Sequence, residues 1–144
     1  ANVIYSDWIA FDSSKWSDAY SAFGQTRRDY PVSESAISAE ILSMGTVAVY
    51  VRIPGNATIA DKVFFLPWIY NITKGLAQRL AFELSPETIT IYFHDLVDQT
   101  LDPGSFGNQV EYRYVIIPGG IAAKEKYPDF SNYYETIEFY GIDE

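Results

Sequence analysis

The feature that most constrains this chain is a strict two-residue alternation of apolar and polar side chains, repeated in several segments. In residues 46–53, Val47, Val49, Val51 and Ile53 point one way, while Ala48, Tyr50 and Arg52 point the other. Successive strand side chains face opposite sides of a sheet, so the pattern predicts a strand with one buried face. Residues 79–84 repeat it, with Leu80, Phe82 and Leu84 opposite Arg79, Ala81 and Glu83. Residues 88–93 do so again, with Ile89, Ile91 and Phe93 on one side. Only Ser85-Pro86-Glu87 separates these last two runs, which predicts a β-hairpin.

Further strands are expected around this centre. Residues 109–117 place Val110, Tyr112, Tyr114 and Ile116 on one face. Val115, Ile116 and Ile117 form an apolar run that reads as a central strand, buried on both sides. Pro118 then ends the ladder, and Gly119-Gly120 allow a tight exit with positive φ. Residues 63–66 form a short apolar run, also readable as buried on both faces, which Pro67 limits. Residues 3–9 and 27–30 complete the expected strands, while 13–24 and 98–108 read as loops.

Two helices are expected. In residues 35–44, Ile37, Ile41 and Met44 make one stripe. Ser33 or Ser35 can cap the start, and Gly45 can close the end in a left-handed conformation. Near the C-terminus, Asn132 and Glu135 have capping-box spacing. Tyr133, Ile137 and Tyr140 then share a face, and Gly141 closes the helix. Together these features predict one mainly β domain over residues 1–144, an antiparallel β-sandwich with two short helices.

Composition narrows the classes of function. The net charge is −9, which repels phosphates and anionic lipid, so nucleic acid is not an expected partner. No apolar run approaches the roughly 18 residues of a spanning helix, so direct membrane insertion of this domain is not expected. There is no cysteine, which removes disulfides, thiolate zinc sites and a cysteine nucleophile. The sequence begins at Ala1, without a basic or apolar leader, and reads as a mature or trimmed start.

Chemistry-bearing groups are sparse. His94, the single histidine, lies near Asp95 and Asp98, but at a strand end where nothing orients the three. The loop from Asp98 through Asp102 to Gly104 carries oxygen ligands without EF-hand spacing. The loop reads first as a plain turn, with calcium as the minor alternative; no metal or cofactor is assigned, and no residue is given a catalytic role. The 19 acidic residues leave a paired-carboxylate hydrolase as a minor alternative. Asn56-Ala57-Thr58 and Asn71-Ile72-Thr73 match the glycosylation acceptor pattern. The best binding features are the three tryptophans, Trp8, Trp16 and Trp68, with Tyr20, Tyr70 and Tyr92 as neighbours. A flat ring at a sandwich end can stack on a sugar face. The competing role for such rings is to plug the core.

Several strings, in order, resemble a widespread domain family of secreted and lipid-anchored proteins in the Bacteroidetes. They are Ile4-Tyr5-Ser6-Asp7-Trp8, where the family tends to read YSxW, and the helix from Ser35 to Gly45. Val47 to Val51 and Leu66-Pro67-Trp68 follow. The most specific is Tyr112 to Gly120, YRYVIIPGG, where the family reads close to FRYVIIPGG. A closing Tyr134-Glu135 helix is shared as well. The resemblance implies export, with a periplasmic, cell-surface or extracellular location. It supplies no catalytic residue and no ligand. The expectation is therefore a non-enzymatic surface module with a structural, adhesive or assembly role and with glycans or envelope proteins as partners. The alternative is a carbohydrate-binding module using Trp8, Trp16 and Trp68.

Overall fold

The structure is a computed structural model that describes residues 3–73, 75–119 and 127–144. Its strands are β1 (Ile4–Tyr5), β2 (Ile9–Ala10), β3 (Tyr20–Ala22), β4 (Gln25–Ser33), β5 (Thr46–Arg52), β6 (Val63–Phe65), β7 (Trp68–Thr73), β8 (Leu76–Ser85), β9 (Thr88–Asp95) and β10 (Glu111–Ile117). Two helices, α1 (Ala39–Met44) and α2 (Tyr133–Tyr140), complete the regular elements. One sheet has the order β1-β10-β5-β6, with β2 also on β10, and the other has the order β3-β4-β9-β8-β7. All pairings are antiparallel. The chain is an antiparallel β-sandwich with two short helices.

The alternating runs pack as their pattern demands. Val49, Val51, Tyr112, Tyr114 and Ile116 from one sheet meet Tyr30, Leu80, Ile89, Ile91 and Phe93 from the other in one core. Burying each large apolar side chain contributes roughly 1.5–3 kcal/mol. A one-residue slip of any strand would turn its set outward, so the register is strongly held. The β8–β9 hairpin closes at Pro86-Glu87, between the paired Ser85 and Thr88.

A second core lies on the back of the β10–β5 sheet. Ala48, Tyr50, Val115 and Ile117 pack there against Tyr133, Ile137 and Ile142. β5 is therefore buried on both faces, not on one as its alternation predicts. The cover is α2. The Tyr50 hydroxyl lies 2.7 Å from the Phe130 carbonyl and 3.2 Å from Thr136 Oγ1, so it is satisfied. Arg113 is buried beside it, at 2% exposure. It donates from Nε to the Ser6 carbonyl, from Nη1 to the Tyr133 hydroxyl and from Nη2 to the Asp143 carbonyl. One side chain thus ties the N-terminal strand, α2 and the C-terminal segment to β10.

Several local expectations need correction. The first helix starts only at Ala39, capped by Ser38 rather than Ser33 or Ser35. Residues 34 and 37 are instead bound to the β8–β9 turn, with Glu34 N–H on the Glu87 carbonyl and Glu87 N–H on the Ile37 carbonyl. Gly45 is extended, with φ −84°, because the chain passes straight into β5. Its need for glycine is closeness, since a Cβ there would lie 3.0 Å from Ile41. Gly119 likewise lacks a positive φ, and a Cβ on it would stand 2.2 Å from the Met44 carbonyl oxygen. Gly120 lies outside the described residues.

The run at 63–66 forms β6, half-buried at a sheet edge rather than enclosed on both faces. Residues 13–24 hold a 3-10 turn and β3, not only loop. β4 continues through Pro31. Asp29, two residues earlier, turns its N–H and carbonyl outward to Ser17, so Pro31 presents its missing donor on the same outward side. α2 follows its expected pattern, with Asn132 Oδ1 accepting from Glu135 N–H and Gly141 at φ +65°. Glu135 does not return to Asn132 but accepts from Asp129 N–H.

Candidate functional site

At one end of the sandwich, where β8 begins and β9 ends, the two sheets separate into a cleft of about 270 Å³. Trp68 and Tyr70 of β7, Leu80 of β8 and Phe93 of β9 form one wall, and Ile53 and Val110 adjoin the ends of β5 and β10 in the other sheet. Phe106 closes the cleft from the 98–108 loop. Its carbonyl accepts a hydrogen bond of 2.8 Å from Trp16 Nε1, which fastens the loop to the core. Trp68 stacks with Phe64 at 4.1 Å and with Tyr70 at 4.7 Å, and this ring stack joins the two edge strands β6 and β7.

Gln78 and Ser105 are the polar side chains of the cleft besides the Tyr70 hydroxyl. Tyr70 donates to Gln78 Oε1 at 2.7 Å, and Gln78 Nε2 donates to the Pro103 carbonyl at 2.9 Å. Burial pushes the Tyr70 hydroxyl above its ordinary range, so it stays a neutral donor. Among the described residues, none that lines the cleft carries a charge at neutral pH. Such a wall suits an uncharged apolar or aromatic group, because a charge entering it would lose its water without gaining a partner. A wider groove of about 660 Å³ adjoins the cleft and shares Ser105 and Phe106 with it. Asp12, Asn108 and Gln109 line that groove.

The three tryptophans are not brought together. Trp16 is 7% exposed and packs on Phe11, Tyr30, Phe93 and Phe106, so it is a core residue rather than an exposed platform. Large rings close to both sheets bury more area inward than they could offer to a sugar. Trp8 lies on the back of the other sheet, half-buried, with the Arg52 guanidinium 4.3 Å over its ring and Tyr133 against it. Trp68 lines the cleft. Of the tyrosines, Tyr70 lines the cleft, while Tyr20 and Tyr92 flank Arg27 on the outer face of the β4–β9 pair.

The groups that could carry other chemistry are committed elsewhere. His94 is 1% exposed, in register between Arg27 and Arg79. Burial first, and those two cations next, lower its pKa. Asp95 accepts from Val97 and Asp98 N–H, and Asp98 accepts from Thr100, so these two carboxylates serve a turn and do not converge with His94 on a common site. Among the described residues, no three His, Cys, Asp or Glu side chains are placed to hold a metal ion. Asp29 and Glu83 both grip Arg27, at 2.8 and 2.6 Å, and Asp102 grips Arg28. Hydrogen bonds hold Asp12, Asp98 and Asp102 below the ordinary carboxylate range, the opposite of what a general acid needs. Asn56 accepts from Thr58 N–H in an exposed turn, and Asn71 is exposed on β7.

No protein-family model, curated protein or solved structure matches the chain. Among the described residues, no helix is long and apolar enough to cross a membrane. Gln78 and Phe106 escape a reading of the sequence. Phe106 is the one aromatic residue in a loop otherwise rich in Gly and Asp, and that isolation is the signal that could have found it.

Proposed function

We propose that the chain is a non-enzymatic binding module of the cell surface or periplasm, which engages an envelope protein by taking an apolar or aromatic group into the cleft. The observation that carries this reading is the cleft itself, preformed, uncharged and walled by Trp68, Tyr70 and Phe106. The YRYVIIPGG resemblance supports export. Commitment of Asp29, Glu83, Asp98 and Asp102 to ion pairs and turns favours binding over acid–base chemistry.

Titration calorimetry with N-acetyl-phenylalaninamide tests the cleft. Saturable binding is expected to the wild type and not to Ser105→Trp, whose indole fills the cleft. Absence of saturable binding to the wild type removes the reading. Protease treatment of intact cells and cell fractionation test the setting, and a purely cytoplasmic protein would contradict it.

A second reading is carbohydrate binding in the adjoining groove, where Asp12, Asn108 and Gln109 offer hydrogen-bonding groups beside the Phe106 ring. It does not need Trp8 or Trp16. A glycan array without hits, or hits unchanged by Phe106→Ala, would exclude it.

A further inference from the structure

We infer that the cleft end of the sandwich is a self-association surface, in which Phe23 of one copy enters the cleft of a second copy. This deepens the proposed function and rests on it, naming the partner as the chain itself.

The argument starts at Phe23, which is 99% exposed. Pairing of Ala22 with Gln25 leaves Phe23 and Gly24 as a two-residue turn between β3 and β4. Both have positive φ, +52° and +76°. Turns of this kind favour Asn-Gly, because a Cβ is disfavoured at positive φ and a short amide tolerates it best. A bulky phenyl ring is a poor choice for the turn, and at this exposure it gains nothing from packing. The fold of one copy therefore explains neither the residue nor its position.

The same end of the molecule holds a receptor for it. β4 begins beside the end of β9, and β8 begins there too, as the pairs Arg27–His94 and Gln78–Asp95 show. Phe23 thus lies at the cleft end, near the β3 edge, while the cleft lies toward the β7 edge. Four strand spacings separate those edges, about 19 Å. A cavity of about 150 Å³ already admits benzene, so 270 Å³ accommodates a benzyl side chain. A protruding ring and a ring-sized cleft, offset from each other on one end, are what a twofold axis perpendicular to the strands, passing between ring and cleft, closes reciprocally end to end.

Two further observations favour a second copy. Leu76, Val97 and Leu101 are 40%, 61% and 44% exposed at this end, and the twofold arrangement covers them. Each chain carries a net charge of −9, so two copies repel over most of their surfaces. Little of that charge lies beside the turn and the start of β8. Residues 22–26 and 75–78 carry no charge, and Arg28 neutralises Asp102 through two bonds of 2.7 and 2.6 Å. That leaves Asp98 as the unpaired acid of the 96–102 loop.

Analytical ultracentrifugation from micromolar to millimolar concentration tests this with the wild type, Phe23→Asn and Ser105→Trp. A reversible monomer–dimer equilibrium is expected for the wild type. Both variants should weaken it at least about tenfold, as for loss of an interface anchor. Phe23→Asn suits the positive φ and should keep the wild-type affinity for N-acetyl-phenylalaninamide, whereas Ser105→Trp should lose it. A wild type that stays monomeric while still binding the amide overturns self-association and leaves the cleft reading standing. Failure to bind the amide overturns both. Open-ended growth beyond a dimer, or a Phe23→Asn dimer as tight as the wild type's, also refutes the twofold contact.

Discussion

Arg113→Met offers the clearest stability test, because one side chain joins three segments. The guanidinium is 2% exposed and donates at 2.6–2.7 Å to the Ser6 carbonyl, the Tyr133 hydroxyl and the Asp143 carbonyl. Methionine keeps an unbranched apolar stem of similar reach and removes every donor. Hydrogen bonds involving a charged group contribute roughly 1.5–3 kcal/mol each. Set against them is the desolvation of a buried cation, several kcal/mol, which the variant no longer bears. Tyr133 is left buried and loses this donor, whereas Asp143 is exposed and can rehydrate. The balance is a net loss of about 2–4 kcal/mol. Urea unfolding should show a lower midpoint with an unchanged slope. Hydrogen exchange in the native state should speed up first in α2, the element that loses its tie. A change below about 0.5 kcal/mol, or a stabilisation, would refute the idea that Arg113 holds the back layer in place.

Other outcomes follow from single contacts. Gly119→Ala puts a Cβ 2.2 Å from the Met44 carbonyl oxygen and should cost at least about 1–3 kcal/mol in thermal unfolding. Burial lowers the His94 pKa below its unfolded value, so the folded chain holds fewer protons there. Stability should be complete above pH ~6.5 and fall as the pH drops below it, and His94→Gln should flatten that limb of a stability–pH curve. The bond to Arg28 lowers the Asp102 pKa from 3.8 to about 2. That stability is present above pH 3.8 and is lost as the pH falls toward 2. Because Asp102 is half exposed, Asp102→Asn should cost only about 1 kcal/mol or less at neutral pH.

The sandwich was legible where one residue in two is apolar and turns inward, as in β5, β8, β9 and β10. It was obscured in β7, where Trp68 and Tyr70 turn toward the cleft and Ile69, the aliphatic residue between them, is 60% exposed. Apolarity there does not report the inward face. The β3–β4 hairpin was hidden because Phe-Gly stands where Asn-Gly would announce a turn. The first helix is shorter than its apolar stripe because contacts with Glu87, distant in sequence, hold residues 34 and 37 out of it. The back layer was missed for a related reason. Tyr50 reads as a solvent-facing residue until α2 supplies partners for its hydroxyl. Of the site, the tryptophans were visible as a residue type, but their fates are tertiary: Trp16 joins the core, Trp8 sits under Arg52, and Trp68 lines the cleft. Phe106 and Gln78 become site residues only when the 98–108 loop folds back over the sheet end.

The most direct test of the cleft as the binding site is a chemical-shift map of the protein titrated with N-acetyl-phenylalaninamide. The expected result is saturable change centred on the Trp68 indole, the Gln78 side-chain amide and the backbone of 105–110. The Trp8 and Trp16 indoles should move little, because one lies behind the other sheet and the other behind Phe106. Changes centred on Trp8, or small changes scattered without saturation, would contradict the assignment of function to this end of the sandwich.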